Sequence, residues 1–278
     1  MSHKFKFIII IAVVLIFLWK ITDIIKSKDV AAKHRISVSG TIEATQIGLS
    51  FQVGGQIKQL LIDEGDFVRK NDVVAILDQQ KLIALKTQAE ASYREAKLSY
   101  ERLKKDFNRA ENLYKAGAVP QQQRDAVKTS YAIAKAKMEK LKASLRLAEL
   151  NLSYAKLRAP IDGFVIVKSA EAGEVVQPGA CIFTMVDLTH IWLTAYIEES
   201  DLGKVRLGQK AEIKTDSYPR KSYPARISFI SQEAEFTPKY IQTHEERTKL
   251  VYRIKIRVDN HNYELKPGMP ADAYINLN

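Results

Sequence analysis

The chain has 278 residues, of which 46% are hydrophobic and 27% charged, a composition that excludes a largely disordered protein. The 43 Lys and Arg residues outnumber the 32 Asp and Glu residues, giving a net charge of +11. A single cysteine, Cys181, excludes an intramolecular disulfide framework and a cysteine-based zinc site. At about 150 residues per domain, this length predicts two or three compact units.

The first apolar run predicts a membrane anchor. Residues 7–19 carry no polar side chain, and lysines flank the run on both sides. A bilayer core requires about 20 apolar residues and tolerates lysines whose side chains reach the interface. We therefore expect an N-terminal transmembrane helix and linker over residues 1–31. A cleaved signal peptide and a soluble buried helix are the alternatives, but the alanine-containing cleavage candidate at residues 30–32 lies far beyond the run. The anchor residues are Phe7, Ile11, Leu15 and Trp19.

The flanking charges leave the orientation of this anchor open. Five cations lie within residues 20–35, and the positive-inside rule alone would keep the following body in the cytoplasm. A short N-terminal tail followed by a large domain instead favours export of the body.

Two segments of the chain repeat each other. Residues 55–78 and 163–187 align with a shift of 108 positions, which places Asn71 on Gly179. Glycine and asparagine adopt positive φ in turns, so each copy is predicted to hold short strands joined by tight turns. Chance similarity between two turn-rich β segments is the alternative. The predicted turn residues of the repeat are Gly55, Gly65, Gly163, Gly173 and Gly179.

The segment between the two copies has a heptad pattern. Small and aliphatic residues alternate with large ones along an ascending and a descending arm, and Gly117 and Pro120 lie between the arms. This pattern predicts an antiparallel coiled-coil hairpin of about 55 Å. The ascending seam is Leu82, Ala89, Tyr93, Ala96, Tyr100, Leu103, Phe107, Ala110 and Tyr114. The descending seam is Val127, Tyr131, Ala134, Met138, Leu141, Leu145, Ala148, Leu152 and Ala155.

The hairpin also carries most of the net charge. Residues 81–156 hold 17 Lys and Arg against 8 Asp and Glu, or +9 of the total +11. A solvated helix pair accounts for these cations, and no basic-region, zinc-finger or RNA-binding pattern accompanies them. Nucleic acid is therefore not expected as a partner.

The last third of the chain is rich in predicted strands. Segments 191–199, 210–217, 223–230 and 250–258 have strand character, with a short helix near residues 200–206. Their spacing indicates a small β-barrel. A final strand within 265–277 is expected to pair with an early strand at 34–47.

The sequence holds no pattern of known catalytic or nucleotide-binding sites. Neither a P-loop nor a dinucleotide-binding glycine motif occurs, and the five histidines are far apart in sequence. Cys181 lies in an apolar β run, which favours a buried, inert thiol over a nucleophile. We expect no enzymatic activity, no cofactor and no metal.

The duplicated motif, the hairpin and the C-terminal segments resemble the HlyD-like membrane fusion proteins, the periplasmic adaptors of tripartite efflux and type I secretion systems. The matching segments are 53–78, 157–165, 173–187 and 264–275. The resemblance implies a mainly β fold with an inserted α-helical coiled-coil hairpin and an N-terminal transmembrane helix. The expected domains are a split lipoyl (barrel-sandwich hybrid) domain at 51–78 and 158–188, the hairpin at 79–157, a β-barrel at 189–258 and membrane-proximal β strands at 32–50 and 259–278.

The same resemblance implies the partners. The body would lie in the periplasm, held by a single span in the inner membrane, and would assemble as a ring, usually a hexamer. That ring would link an inner-membrane pump to a TolC-type outer-membrane channel. In the family pattern Arg, Leu and Ser at the hairpin tip dock on the channel; Arg109 and Leu113 match here, and Pro120 stands at the serine position.

The leading functional prediction is a non-catalytic adaptor for efflux or secretion. The compact hairpin favours an ABC transporter as the pump, with a proton-driven pump second. A cell-envelope scaffold or sensor without a transport role remains the alternative. A biotin or lipoyl carrier subunit fits less well, because about 80 residues stand where a carrier presents its modified lysine.

Overall fold

The computed structural model describes residues 35–236 and 250–277, which form two compact units. Residues 46–186 make up the first, here the hairpin unit. Of the described residues, 35–45, 187–236 and 250–277 make up the second, here the barrel unit. The predicted anchor at residues 1–31 lies outside the described residues. Within the described ranges, no helix is long and apolar enough to cross a membrane.

The strands of the hairpin unit reproduce the predicted repeat. Four of them form one sheet in the order β5-β4-β2-β7, and β3 pairs with β6, which pairs with β8. The strands are β2 (Gly55–Leu60), β3 (Phe67–Val68), β4 (Val73–Leu77), β5 (Lys156–Arg158), β6 (Gly163–Lys168), β7 (Val175–Val176) and the start of β8 (Cys181–Glu198). A shift of 108 residues superposes the bounds of β2 on those of β6 and the bounds of β3 on those of β7.

The two copies share one apolar core. Burial alternates at the start of β6, as expected for a strand buried on one face, whereas β4 buries the adjacent residues Val74 and Ala75 together with Leu77. Its largest fully buried side chains are Phe51, Ile57, Leu77, Ile182, Phe183 and Met185. Equivalent residues of both copies lie in this one core, so each copy covers the apolar face of the other. Neither copy could bury that face alone.

Between β4 and β5 run the two predicted helices, α1 (Gln80–Lys115) and α2 (Gln121–Tyr154). Every predicted seam residue is partly or fully buried, so the heptad register is confirmed. Tyr131 stacks between Tyr100 and Phe107, with ring centroids 5.5 and 5.3 Å apart. Only Ala96 and Ala134 are fully buried in the helices, because a pair of helices shields a narrow seam and leaves the larger seam residues at its edge.

The barrel unit is a closed antiparallel sheet. Its strand order is β1-β12-β9-β10-β11-β8, and a further pairing of β1 with β8 closes it. The elements are β1 (Arg35–Ser50), the remainder of β8, α3 (Glu199–Leu202), β9 (Lys210–Lys214), β10 (Tyr223–Phe236), β11 (Leu250–Asp259) and β12 (Pro270–Asn276). Gly40 lies at the closure, where a Cβ atom would fall 2.1 Å from the Thr194 carbonyl oxygen.

The predicted pairing of the last strand with the first is confirmed, with Arg35 opposite Asn276 and Thr41 opposite Pro270. The expectation of separate membrane-proximal strands at 32–50 and 259–278 is not met among the described residues. β12 also pairs with β9, and both β1 and β12 contribute to the barrel core through residues such as Ile42 and Ile275. A closed barrel requires these two strands to complete its hydrogen bonding, so they belong to it.

Candidate functional site

The hairpin tip is a short, tightly hydrogen-bonded connection between α1 and α2. Helix α1 ends at Lys115, and the Gly117 amide donates to the Tyr114 carbonyl oxygen at 2.9 Å. The Ala118 amide donates to the Leu113 carbonyl oxygen, also at 2.9 Å. Gly117 adopts a φ of 72°, the left-handed conformation that commonly ends a helix. The turn between the helices is therefore a defined structure rather than an open loop.

Pro120 starts the second helix. It occupies the N-cap of α2 with a φ of −72° and an extended ψ of 155°. Proline suits this position, since its fixed φ matches the backbone and the first helical turn does not use its missing amide. The residue at the family's serine position thus has a local structural role in this chain.

The other two predicted tip residues lie on α1. Arg109 and Leu113 are four residues apart and so share one helix face. The Arg109 guanidinium lies 3.5 Å from the Asp106 carboxylate, in an exposed pair of the kind that contributes little to stability. Leu113 is 42% exposed although it is a large apolar residue. That face of the tip therefore presents a leucine and a mostly exposed arginine to solvent.

Sequence reasoning missed Arg124, which contacts both helices at the tip. Its guanidinium carbon lies 4.8 Å from the centre of the Tyr114 ring, and its Nε lies 3.8 Å from Glu111 Oε2. A second ion pair joins Arg124 Nη1 to Asp125 Oδ1 at 3.0 Å. Only 20% of the side chain is exposed. Arg124 lies one heptad before Tyr131, a spacing that would have identified it as a seam position occupied by a cation.

The glycines of the repeat fall into two groups. Gly65, Gly173 and Gly179 adopt positive φ angles of 90°, 96° and 85° in turns, as predicted. Gly55 and Gly163 are instead the first residues of β2 and β6, which corrects their assignment as turn residues. At Gly55 a Cβ atom would lie 3.4 Å from Leu77 Cδ1, an ordinary contact distance, so neither φ nor packing requires glycine there.

A charged cluster surrounds the Gly65 turn. Lys168 Nζ lies 3.0 Å from Glu171 Oε1 and 3.4 Å from Asp63 Oδ1. The hydrogen bond to Glu171, together with Asp63, raises the pKa of Lys168 above its ordinary value. The backbone amide of Glu64 and the Lys168 ammonium lower the pKa of Asp63. The pair of Lys168 with Asp63 joins the two copies of the repeat at the surface, whereas Glu171 belongs to the same copy as Lys168.

Cys181 is exposed, so the expectation of a buried thiol is wrong. It is the first residue of β8, and its Sγ donates to the Phe183 carbonyl oxygen at 3.4 Å. The apolar neighbours that suggested burial, Ile182 and Phe183, are themselves fully buried. Over the described ranges, no group of three or more His, Cys, Asp or Glu residues could hold a metal ion.

Each of the two units matches the model of a known domain family. Residues 45–187 match the model of the CzcB-like barrel-sandwich hybrid domain, and residues 191–275 match that of the YknX-like β-barrel domain. Together the two matches cover both copies of the repeat, the hairpin and the barrel strands from β8 to β12, whereas residues 35–44 of β1 lie outside them.

Individual proteins extend the likeness over nearly the whole chain. The "UPF0194 membrane protein in asrC 5'region" of Acidithiobacillus ferridurans is 30% identical over 96% of this chain and 94% of its own length. A MacA–MexA chimera with the α-hairpin of Pseudomonas aeruginosa MexA is 27% identical, with a TM-score of 0.63 over 88% of this chain and 81% of the chimera. The membrane fusion protein Spr0693 of Streptococcus pneumoniae R6 has the same fold, with a TM-score of 0.69 at 17% identity over 87% of this chain and 99% of Spr0693.

Proposed function

Because this chain belongs to the HlyD-like membrane fusion protein (periplasmic adaptor) family, we propose that it links an inner-membrane pump to a TolC-type outer-membrane channel. In this role it is non-catalytic and serves efflux or secretion. The observation that carries the proposal is the insertion of the helical hairpin between two copies of one β motif. At 1.5 Å per residue, the 36 residues of α1 extend about 54 Å, a length suited to bridging two partners.

The tip is the proposed contact with the channel, and Leu113 is its main apolar residue. Fully burying a leucine contributes about 1.5–3 kcal/mol, so burying the exposed 42% of Leu113 contributes about 1 kcal/mol, whereas the exposed ion pair of Arg109 contributes about 0–1 kcal/mol. A carboxylate at position 113 would in addition have to lose its hydration when the tip docks. Leu113→Asp should therefore abolish export while leaving the hairpin folded, because the side chain is already partly exposed. The matched control is Asn108→Asp, which places a carboxylate at an exposed position five residues earlier on α1. Normal export by the Leu113→Asp variant would overturn docking through this tip.

Pro120→Ser tests whether docking follows the family pattern. This substitution supplies the missing serine and also an ordinary N-cap residue, so α2 should still begin at the same position. If the serine contacts the channel, crosslinking from a cysteine at the tip to a TolC-type channel should become stronger. Unchanged crosslinking would mean that the tip of this protein does not use that position.

The pump is proposed to be an ABC transporter, with a proton-driven pump as the alternative. The two differ in their energy source, so the export assay distinguishes them in inverted vesicles. Export that requires ATP and persists when a protonophore collapses the proton gradient supports an ABC transporter. Export that stops when the protonophore is added, although ATP is present, supports a proton-driven pump.

The membrane topology is proposed to be a single inner-membrane span with the body in the periplasm. The apolar run at residues 7–19 supports this topology, as do relatives named as membrane proteins. Alkaline phosphatase fused after Asn278 should be active, and an inactive fusion would reverse the orientation. Intact-mass analysis of the membrane-extracted protein should show an uncleaved N-terminus.

The working unit is proposed to be a ring, most simply a hexamer. Ring closure gives every protomer the same pair of neighbours, and it would place several hairpins side by side around one axis. Mass measurement of the complex extracted with its pump tests this number. A purely monomeric adaptor in that complex would contradict it.

A further inference from the structure

Three cations stand opposite one another on adjacent strands of the barrel unit. Lys210 on β9 is paired with Arg226 on β10, which is paired with Arg257 on β11. All three side chains are exposed, and directly opposed residues have Cβ atoms about 5 Å apart. Across residues 35–236 and 250–277, none of the three makes a side-chain hydrogen bond or ion pair. Like charges so placed destabilise a sheet, so a bound anion would relieve their repulsion.

Two carboxylates lie beside this row. Glu212 lies two residues after Lys210 on β9, and Asp259 lies two residues after Arg257 on β11. Residues two apart on a strand lie on the same face of the sheet, about 7 Å from each other, so each carboxylate is beside a cation of the row. All four, together with Arg226, line one open cavity of about 470 Å³. This volume lies within the usual range of small-molecule sites. The cavity therefore presents a row of positive charge next to separate negative charges.

The charge pattern selects the chemistry of the ligand. Guanidinium groups and a lysine ammonium together suit a phosphate group. Glu212 already pairs with Arg35 at 3.4 Å, whereas Asp259 has no such partner within the described residues and can accept hydrogen bonds from an ammonium group. A phosphate next to a primary ammonium would match both parts of the cavity.

The position of the cavity suggests the source of such a ligand. Arg35 is paired with Asn276, which also lines the cavity. The apolar run at residues 7–19 ends only 16 positions before Arg35. On the other side, Trp192 is opposite Arg257 and extends the row with an aromatic residue of the type enriched at membrane surfaces.

We propose that this cavity binds the phosphoethanolamine headgroup of a membrane phospholipid. The phosphate contacts Lys210, Arg226 and Arg257, and the ammonium contacts Asp259. The proposal rests on the proposed function in one respect, because it takes the barrel unit to lie beside a membrane. A concave, ligand-sized cavity favours a headgroup over a protein partner, whose binding usually requires a wide contact surface.

The test titrates the full chain in detergent with short-chain phospholipids. Trp192 is the reporter, in a Trp19→Phe background that removes the other tryptophan. Phosphatidylethanolamine should change the fluorescence at lower concentration than phosphatidylglycerol, which has no ammonium, and phosphatidylcholine, whose ammonium has no hydrogen to donate. Arg226→Glu should weaken binding about tenfold or more, since each surface cation contributes a sizeable part of the affinity for lipid phosphate.

Matched variants separate the site from general charge effects. Arg226→Lys should retain most of the binding, whereas Arg220→Glu, the same charge change at an exposed turn, should leave binding unchanged. If Arg226→Glu does not fold, Arg226→Gln is used instead. This variant removes the positive charge without adding a negative one, and it should also weaken lipid binding.

Several results would overturn the proposal. The absence of a response to any phospholipid would do so, and so would competition by inorganic phosphate at the same concentration as the lipid. If the wild-type protein shows no response to lipid and Arg226→Glu no longer associates with the pump, the row of three cations contacts a protein and not a lipid. If the wild-type protein supports normal export but binds no lipid, the lipid site is rejected and the proposed adaptor function is retained. Failure of export to depend on the tip would reject the proposed function while leaving lipid binding intact.

Discussion

Gly65 and Gly173 make the same hydrogen bond in opposite directions between the two copies of the repeat. The Gly65 amide donates to the Val165 carbonyl oxygen at 2.9 Å, and the Gly173 amide donates to the Ile57 carbonyl oxygen at 2.8 Å. Val165 and Ile57 are themselves equivalent residues, 108 positions apart. The turn of each copy is thus held by a hydrogen bond to a strand of the other copy. The helical hairpin is inserted between two β motifs that are related by this pseudo-symmetry.

This symmetry predicts equal effects of equivalent substitutions. Gly65→Ala and Gly173→Ala should each lower the free energy of unfolding by about 1–2 kcal/mol, because both positions have φ near 90° and alanine avoids that region. A Cβ atom would meet nothing within 4 Å at either position, so the cost is conformational. Urea unfolding of the full chain measures it.

Gly203→Ala is the control for that pair. Gly203 has a φ of −66°, and a Cβ atom there would also meet no other atom within 4 Å. Its effect should therefore stay within about 0.5 kcal/mol. Clearly unequal losses in the two repeat variants would show that the two turns are not equivalent in solution.

The hairpin seam yields a second prediction. Phe107 stacks on Tyr131 and is partly buried, so Phe107→Ala should reduce the stability of the hairpin by about 2 kcal/mol, less than the loss at a fully buried site. Circular dichroism at increasing temperature should show the loss as an earlier and less cooperative helical transition. Asn108→Ala, at the adjacent exposed position, should change little. Equal effects of the two would contradict the heptad register.

Periodicity allowed much of this fold to be predicted, because the repeat and the heptads are local patterns. The closure of the barrel was only partly predicted, since strand order depends on contacts between distant segments. Cys181 was misjudged because its apolar neighbours gave no sign that the strand begins at that residue. The row of Lys210, Arg226 and Arg257 could not be predicted at all. It depends on the register of three strands, which no local pattern reveals.

Arg124 provides a third prediction at the tip. Arg124→Gln removes the contact with the Tyr114 ring and the ion pairs with Glu111 and Asp125. Together these contacts should stabilise the tip by about 1 kcal/mol. Amide hydrogen exchange across residues 111–125 should become faster in the variant, with little change near the base of the helices.

Arg109→Gln is the matched control for the tip. Arg109 is 74% exposed and has one long pair with Asp106, so its loss should leave exchange at the tip nearly unchanged. Equal acceleration by both variants would mean that Arg124 stabilises the tip no more than a surface arginine does.

The fourth prediction concerns acid stability of the barrel unit. Glu264 accepts hydrogen bonds from Lys221 Nζ and, at 2.8 Å, from the Tyr223 hydroxyl. The bond from Lys221 and then that from Tyr223 lower the pKa of Glu264 below its ordinary value of 4.5. A carboxylate whose pKa is lower in the folded state stabilises that state fully above its unfolded pKa. This stabilisation is lost as the pH falls through the lower, folded pKa.

Glu264→Gln should therefore destabilise the barrel unit most at neutral pH, and the difference from the wild type should shrink as the pH falls below about 4.5. Glutamine can still accept one hydrogen bond from Tyr223, but it cannot form the ion pair with Lys221. Urea unfolding between pH 3 and pH 7, followed by Trp192 fluorescence in the Trp19→Phe background, measures both proteins. Glu199→Gln, at an exposed glutamate of the same unit, should show no comparable dependence on pH. A difference between wild type and Glu264→Gln that stays constant across this range would show that the carboxylate does not stabilise the barrel through its charge.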